Sequence, residues 1–428
     1  MTAIPASMQK LIEEVKTHFA DQPKLGNMFE NCFVNTYETT LKPHEDGKTF
    51  VITGDIPAMW LRDSAAQVRP YLILAEEDEH FAKLIEGVVR KQFEYIVHDP
   101  YANAFNETGN GKGHQGDVTD MTDWIWERKY EIDSLCFPVQ LAYLLWKSTG
   151  STAHFDNDFK TGVEKIINLF RVEQYHESKS PYRFVRHEGR HNDTLSRDGK
   201  GSLVKEGIGM TWSGFRPSDD ACTYGYLVPS NMFAVVILRY LEEIATTVLN
   251  DSTLAEDARV LANEIDNSIQ AHAVIPYEGY ESVYAYEVDG FGQFNFMDDA
   301  NVPSLLAAPY LGYCNADDKT YQNTRQFLLS HGNPTYYEGS VAKGIGSPHT
   351  PPQYIWHISL AMQGLTSTST EERNDLLETF QRTDGDTNLM HEGFNVNDPA
   401  QFTRPWFSWA NSMFSEFLLS CMGKEVKK

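Results

Sequence analysis

The chain has 428 residues, of which 41% are hydrophobic and 12% aromatic, so it is long enough to bury a large core. Its formal net charge of -24 at pH 7 repels nucleic acid and anionic membrane surfaces, which argues against both as partners. A protein of this charge accommodates a neutral substrate most easily. No apolar run approaches the length of about 18 residues that a membrane-spanning helix needs.

The cysteines are spread far apart, and none forms a C-x-x-C pair: Cys32, Cys136, Cys222, Cys314 and Cys421. An odd number of separated cysteines in a long chain is typical of reduced thiols. Residues 1–19 have the spacing of an amphipathic helix and lack the continuous apolar core of a secretory signal peptide. We therefore expect a soluble, cytoplasmic protein.

Apolar residues recur at helical spacing through most of the chain. The spacing predicts helices over residues 1–19, 26–42, 64–76, 79–97, 131–148, 155–175, 230–248, 253–273, 303–312, 317–330, 352–365, 370–382 and 406–422. Two long polar stretches, 99–126 and 181–229, interrupt this pattern, and loops of such length inside a compact domain are usually functional. Residues 284–296 alternate around Asp289-Gly290, which indicates a β-hairpin.

About a dozen helices without a linker, a sequence repeat or Rossmann-like alternation indicate an all-α protein with one domain over residues 1–428. Helix pairs joined by alternately short and long loops suggest an (α/α)6 toroid, in which six inner and six outer helices surround one core. The long loops would then form one rim around a cavity. Residues 276–300, which contain the hairpin, either shape that rim or cover the core.

One loop, residues 53–64, brings Trp60, Arg62 and Asp63 close together in sequence. Its Gly and Pro exclude a helix interior, and the helical spacing that follows makes Asp63 or Ser64 a candidate helix cap. An indole face stacks on a sugar ring, while a guanidinium and a carboxylate bind vicinal hydroxyls. A buried Trp beside a structural Arg–Asp ion pair explains the same residues equally well.

The combination of Trp with charged or polar side chains recurs in three further loops, at residues 124–130, 212–220 and 403–411. Scattered Trp residues would simply be core. Several loops of this composition instead favour a pocket for a polyhydroxylated substrate.

Glycoside hydrolysis needs two carboxyl groups, about 6.5–9.5 Å apart in inverting enzymes and about 5–5.5 Å apart in retaining ones. Asp219 and Asp220 are adjacent, so each raises the pKa of the other, as a general acid requires, although one of them also suits a helix cap near residue 230. Glu392 lies between His391 and Gly393, where glycine allows close approach of ligand or backbone. A lone loop glutamate is more often simply solvated.

A metal site explains the Asp and His residues of these loops less well than an acid–base pair does. The Asp-Asp pairs at 219–220 and 298–299 look like metal-binding pairs of all-α prenyl-diphosphate enzymes, but neither has a further Asp two positions on. His187 and His191 lie four residues apart in a polar loop rather than on a clear helix, which is not a zinc signature. We expect no metal and no other cofactor.

Long segments of the chain resemble glycoside hydrolase family 125, the exo-α-1,6-mannosidases, over nearly the whole length. The matching segments are residues 54–64, 99–103, 124–131, 215–220, 228–233, 297–306, 390–392 and 406–411. Ordered matches of this length are far more specific than any single motif.

The resemblance implies an (α/α)6 fold and an inverting, metal-independent exo-α-1,6-mannosidase that releases terminal mannose from α-1,6-linked mannosides such as trimmed N-glycans. Carried onto this chain, it places the general acid on Asp219, with Asp220 as the alternative, and the general base on Glu392. A mannose-containing oligosaccharide is the expected partner, and the oligomeric state stays open. The substrate-binding residues that we expect around one mannose in a blind pocket are Trp60, Arg62, Asp63, Trp126, Arg216, Asn301, His349 and Trp406.

Two other functions remain as alternatives. A non-catalytic sugar-binding or sensor toroid would keep the aromatic pocket but lack one carboxyl, whereas both carboxyls are present here. A phosphorolytic enzyme of the same fold would need a phosphate-binding cluster beside the base, and the sequence shows none clearly. An assay of whether the reaction depends on phosphate distinguishes a phosphorolytic enzyme from a hydrolase.

Overall fold

The computed structural model describes residues 4–427, most of whose regular structure is helical. None of the helices in this range is long and apolar enough to cross a membrane. A 3-10 turn, Arg69–Tyr71, follows the helix that ends at Val68, and a π-helical turn, Ala245–Leu249, follows the helix that ends at Ile244. The helices are α1 Ala6–His18, α2 Pro23–Thr40, α3 Leu61–Val68, α4 Leu72–Ala75, α5 Glu79–His98, α6 Ile132–Thr149, α7 Asn157–Glu173, α8 His176–Lys179, α9 Val228–Ile244, α10 Ser252–His272, α11 Ala308–Leu311, α12 Lys319–Leu328, α13 His357–Leu365, α14 Thr370–Thr383 and α15 Ser408–Cys421.

Short strands in the loops between helices form small antiparallel sheets of two or three strands. The two-stranded sheets pair β1 Leu41–Pro43 with β2 Thr49–Val51, β7 Val274–Tyr277 with β8 Tyr280–Tyr284, β11 Tyr336–Glu338 with β12 Lys343–Ile345, and β13 Tyr354–Trp356 with β14 Gly393–Asn395. The three-stranded sheets have the orders β3-β4-β5 (Met59–Trp60, Ala104–Phe105, Ile125–Glu127) and β10-β9-β6 (Phe294–Asn295, Glu287–Val288, Tyr226–Leu227). These sheets tie together loops that are far apart in sequence.

The helices pack in two sets that alternate along the chain. In one set α3 contacts α6 and α15, α6 contacts α9, α9 contacts α11, and α13 contacts α15. In the other set α5 contacts α7, α7 contacts α10, and α14 contacts α2. Helices α6, α9 and α15 are buried along nearly their whole length, as expected for helices that are apolar on most sides and surrounded by others.

The prediction of a mostly helical protein is confirmed, with three local corrections. The helix expected at 303–312 shrinks to α11, because the Asp298 carboxylate accepts the backbone N–H groups of Leu305 and Leu306, at 2.9 and 3.0 Å, and holds that segment as a turn. The helix expected at 352–365 begins only at His357, because the preceding residues pair with β14 as strand β13. Residues 1–3 of the first predicted helix lie outside the described residues.

The third correction concerns the strands. Strands β9 and β10 pair around Asp289-Gly290, so the predicted hairpin is confirmed. A second hairpin, β7–β8, precedes it, and short strands occur in most of the other long loops. The all-α description with one hairpin therefore understated the strand content.

Helix α10 offers a test of local stability at its N-terminus. The Asp251 carboxylate accepts the backbone N–H groups of Thr253 and Leu254, at 3.1 and 3.0 Å. We expect Asp251→Ala to lower the free energy of unfolding by about 1 kcal/mol, measured by urea denaturation. Asp251→Asn, which keeps a capping acceptor, should stay close to wild type, and equal losses in the two variants would contradict the capping role.

Candidate active site

A cavity of about 290 Å³ opens among the loops that precede α3, α13 and α15 and the loop that carries Asp219. Its walls combine aromatic rings with charged side chains. Seven of the residues expected in the site line it: Trp60, Arg62, Asp63, Asp219, Asn301, His349 and Glu392. Its volume lies near the lower end of the range for small-molecule sites, which suits one sugar ring.

Three of the residues that we expect to bind the sugar lie outside the cavity walls. Arg216 is buried, and its Nε donates to Glu287 Oε1 at 2.6 Å. Trp126 is half-buried on strand β5 and packs against the cluster of Ala58, Trp60 and Ala104.

Trp406 is the third, and it acts on the loop rather than on the cavity. Its indole Nε1 donates to Asn35 Oδ1 at 3.0 Å, and its carbonyl accepts the Asp55 N–H at 3.3 Å. Gly54 has φ of +126°, and a Cβ there would lie 2.8 Å from the Trp406 carbonyl oxygen, so only glycine fits. Trp406 therefore holds the 53–60 loop in place.

Four aromatic or charged wall residues were missed by sequence reasoning: Trp356, Arg404, Phe407 and Trp409. Three of them belong to the 403–411 segment, whose composition indicates a pocket; Arg404 and Phe407 precede α15, and Trp409 lies in its first turn. Trp356 gave no signal, because the apolar spacing around it predicted a helix rather than strand β13.

The loop with the two adjacent aspartates is a tight turn. The Arg216 N–H donates to the Asp220 carbonyl at 2.8 Å, the Asp219 N–H donates to the Arg216 carbonyl at 2.9 Å, and Asp219 has a left-handed φ of 67°. The Asp219 side chain, 26% exposed, faces the cavity, whereas Asp220 Oδ1 pairs with His349 Nδ1 at 2.9 Å. Neither side chain caps helix α9.

The turn is anchored from behind by two charged residues. Lys129 Nζ donates to the Asp219 carbonyl at 2.7 Å. Glu287, in the predicted hairpin and fully buried, accepts from Arg216 and also from Asn295 Nδ2 at 2.9 Å. The 276–300 segment thus positions the turn that carries Asp219.

Arg62 is the hub of a buried charge cluster. Its Nη1 lies 2.6 Å from Glu131 Oε2 and 3.2 Å from Asp133 Oδ2, its Nη2 lies 3.4 Å from Asp219 Oδ1, and its Nε lies 3.3 Å from Asp63 Oδ2. The guanidinium is therefore surrounded by carboxyl groups of the protein. The prediction that Asp63 or Ser64 caps α3 is wrong, because the helix begins at Leu61 and both residues lie in its first turn.

The cluster moves the pKa values of its carboxyl groups apart. Burial raises the pKa of Glu131 well above its usual range; the Arg62 charge opposes this rise, and the charges of Asp219 and Asp133 add to it. Burial also raises the pKa of Asp219, but Arg62, the hydrogen bond with Glu131 and the Lys129 charge together hold it below its usual value. The sequence predicts that Asp220 raises the pKa of Asp219, but the Asp220 carboxylate is turned to His349.

Glu392 lies directly before strand β14 and faces the cavity with a side chain 9% exposed. Arg404 Nη1 lies 3.7 Å from Glu392 Oε1, and the same guanidinium pairs with Asp55. Gly393 is paired with Trp356 across the sheet, and a Cβ on it would lie 3.3 Å from that indole. The glycine thus allows the Trp356 indole to lie close to the chain beside Glu392.

His349 stands between the two carboxyl candidates and carries a positive charge at neutral pH. Burial lowers its pKa, but the hydrogen bond to Asp220 and the charges of Asp220, Glu392 and Asp219 outweigh burial and raise the pKa to about 9. A cation at this place balances the negative charge of the cavity.

The His349 pKa makes stability depend on pH. Because the folded pKa of about 9 lies above the unfolded value of about 6.5, the stabilisation is complete below about pH 6.5 and is lost as pH rises through 9. We expect wild type to lose about 3 kcal/mol of unfolding free energy over this window, and His349→Gln to lose much less. His331→Gln, at an exposed position, should keep the wild-type slope in urea denaturation at each pH; equal slopes in all three proteins would contradict this assignment.

The second Asp pair has structural partners. Asp298 binds the two backbone N–H groups described above, and Asp299 accepts from Ser218 Oγ at 3.0 Å and from Asn301 Nδ2 at 3.3 Å. Among residues 4–427 we find no group of three or more His, Cys, Asp or Glu side chains arranged to hold a metal ion.

Comparison with known proteins identifies the relatives of the chain. Residues 22–419 match the family model described as metal-independent alpha-mannosidase (GH125). The "Meiotically up-regulated gene 157 protein" of Schizosaccharomyces pombe is 40% identical over 440 residues, covering 98% of this chain and 86% of that protein.

A solved structure is more similar still. It is a metal-independent alpha mannosidase of Streptococcus pneumoniae in a non-productive complex with alpha-1,6-mannobiose, 50% identical, with a TM-score of 0.96 over 99% of this chain and 100% of that chain. A GH78 rhamnosidase of Bacillus sp. GL1 is 14% identical with a TM-score of 0.52, covering 93% of this chain and 35% of that chain, and shows a shared fold alone. On the family match and these identities, the chain belongs to the GH125 family of metal-independent alpha-mannosidases.

Proposed function

We propose that the protein is an inverting exo-α-1,6-mannosidase that removes terminal mannose from α-1,6-linked mannosides such as trimmed N-glycans. The observation that carries this proposal is that Asp219 and Glu392, far apart in sequence, line the same small cavity with Trp60, Trp356 and Trp409. The alpha-1,6-mannobiose complex of the Streptococcus pneumoniae relative supports the choice of substrate.

Asp219 is the proposed general acid and Glu392 the proposed general base. Asp219 protonates the oxygen that leaves with the rest of the glycan, and Glu392 takes a proton from the water that attacks the anomeric carbon from the other face. Asp219 is preferred over Asp220 because only Asp219 faces the cavity, while Asp220 holds His349.

The small volume of the cavity supports exo action. A space of about 290 Å³ accommodates one mannose and leaves the remainder of the oligosaccharide outside, so only a chain end reaches both carboxyl groups. Asn301, His349 and Asp63 are the proposed hydroxyl contacts. Arg62 is already engaged by carboxyl groups, so we assign it to holding them rather than to binding vicinal hydroxyls.

The helices are proposed to form one (α/α)6 toroid that is a single catalytic domain over the whole chain. Helices that alternate along the chain between a buried set and a second set packed around it support this arrangement. One continuous hydrophobic cluster running from Met8 to Val426 supports a single domain.

We also propose that the protein works in the cytoplasm. All five cysteines are unpaired, and Cys32, Cys136 and Cys222 are buried as free thiols, which suits a reducing compartment. Imaging of a fluorescent fusion in the native cell tests this proposal, and a secreted fusion would contradict it.

Proton NMR of the purified protein with α-1,6-mannobiose, read within minutes, tests the function. Initial release of β-mannose is the expected result and means hydrolysis with inversion. Initial α-mannose would overturn the role of Glu392 as base, and bound but intact substrate would favour a sugar sensor. Mannose 1-phosphate formed only when phosphate is added would favour phosphorolysis.

A further inference from the structure

The cluster behind Asp219 has more carboxyl groups than it has cations. Arg62 contacts Asp63, Glu131, Asp133 and Asp219, so one positive charge faces four carboxyl groups. The side chains of Glu131 and Asp133 are 0% exposed and that of Asp63 is 5% exposed. Like charges packed this closely in a buried place do not all ionise, so the cluster retains at least one proton at neutral pH.

No other group near Glu131 in the described part of the chain supplies the missing positive charge. Three further cations act on other carboxyl groups of the cluster, Lys129 and His349 on Asp219 and Arg404 on Asp63. Each has a carboxylate partner outside the cluster: Lys129 pairs with Asp193 at 3.0 Å and with Glu127 at 3.8 Å, His349 with Asp220 at 2.9 Å, and Arg404 with Asp55. The Tyr182 hydroxyl and the Cys222 thiol also face the cluster, and burial raises both pKa values, which keeps the two groups neutral.

The contacts of Glu131 locate the proton. Oε2 accepts from Arg62 Nη1 at 2.6 Å and from Ser134 Oγ at 2.9 Å, whereas buried Oε1 meets no donor among the described residues. The Glu131 carboxyl is within hydrogen-bonding reach of the Asp219 carboxyl. Two carboxyl groups form a hydrogen bond only when a proton lies between them, because an ionised carboxylate has no donor.

We propose that Glu131 is a positioning residue for the acid and stores the proton that Asp219 delivers to the leaving oxygen. The proposal rests on the proposed function, since it takes Asp219 as the acid. The raised pKa of Glu131 and the lowered pKa of Asp219 agree with a proton that rests on Glu131 in the free enzyme.

In each turnover one proton leaves the Asp219–Glu131 pair and one returns to it. The stored proton first moves from Glu131 to Asp219, which leaves Glu131 ionised. As the bond between the anomeric carbon and the leaving oxygen breaks, its electron pair goes to that oxygen, and the oxygen takes this same proton from Asp219. Water adds to the anomeric carbon and gives a proton to Glu392. Glu392 then releases that proton to solvent, and the Asp219–Glu131 pair regains one through Asp219, which is 26% exposed to the cavity.

The test compares two substrates in Glu131→Gln. The leaving group of α-1,6-mannobiose needs a proton, whereas that of 2,4-dinitrophenyl α-mannoside leaves without one. The amide introduced by this substitution keeps the shape of the side chain and the Arg62 contact but supplies no acidic proton. We expect hydrolysis of mannobiose to fall by about 100-fold or more, and hydrolysis of the dinitrophenyl substrate to stay within about threefold of wild type. The basic limb of kcat/KM against pH should move to lower pH, because Asp219 then titrates alone beside Arg62.

Asp133→Asn is the matched control, since Asp133 contacts the same guanidinium but lies outside the Asp219 hydrogen bond. It should keep the wild-type ratio of the two rates. Equal loss on both substrates in Glu131→Gln, with an unchanged pH profile, would show a merely structural role and overturn the proposal. Wild type that hydrolyses neither substrate would overturn the proposed function instead.

Infrared difference spectra test the stored proton in the wild-type protein itself. We expect a protonated-carboxyl C=O band at pH 8 that disappears in Glu131→Gln. A wild-type spectrum at pH 8 without any protonated carboxyl would overturn the proposal, whether or not the variant folds.

Discussion

Glu392→Gln is expected to lose turnover of α-1,6-mannobiose by about 100-fold or more while still binding mannose. The amide keeps the size and the contact with Arg404, but it cannot take a proton from the attacking water. Initial-rate assays measure the loss, and calorimetric titration with mannose should give a dissociation constant within about threefold of wild type.

Glu243→Gln provides the comparison for this variant. Glu243 forms its hydrogen bond with Tyr143 and its ion pair with Lys147 away from the cavity, so its loss should leave kcat unchanged. Turnover near the wild-type rate in Glu392→Gln would show that another group activates the water.

Arg62→Met is expected to have the largest effect on stability. It removes the only guanidinium that contacts Glu131, Asp133 and Asp219 in the described part of the chain, and leaves their carboxyl groups buried without a counter-ion. Removing one partner of a buried charge pair costs about 3–5 kcal/mol, so the unfolding midpoint in urea should fall sharply and activity should be lost.

The deficit of Arg62→Met should also depend on pH. Without the guanidinium, the folded pKa values of these carboxyl groups rise above their unfolded values of about 4, so folding is least penalised below about pH 4. The difference in unfolding free energy from wild type should therefore grow as pH rises from about 5 to about 8. Arg239→Met, at a half-exposed pair with Asp266, should leave the midpoint nearly unchanged; similar losses in both variants would contradict the hub role.

Helices were the most predictable part of the fold, because their apolar spacing is local. Helices α5, α10 and α14 appear within two residues of the predicted boundaries. The helix predicted around Pro303 was wrong, because the Asp298 carboxylate accepts N–H groups that a helix would bond internally. Strand β13 was not predicted, because its partner β14 lies about forty residues downstream and the spacing of apolar residues along one segment contains no information on such pairing.

The site was predictable where side chains project from loops of unusual composition, and less so where a charge has several possible partners. Trp60 and Glu392 line the cavity as expected. Arg62 lies there too, but three of its four carboxyl partners come from residues 69 to 157 positions away, so its engagement with the protein could not be read from its own loop. Arg216 was placed with the sugar contacts for the same reason, since its partner Glu287 belongs to a distant hairpin.

That distant partner has a consequence for how the enzyme becomes active during synthesis. The turn with Asp219 is held through Arg216 by Glu287, which leaves the ribosome 68 residues later than Asp219, so the proposed acid is not held in place until the hairpin has emerged and docked. Glu392, the proposed base, emerges later still. A nascent chain therefore lacks the proposed pair of catalytic carboxyl groups until residue 392 has left the ribosome.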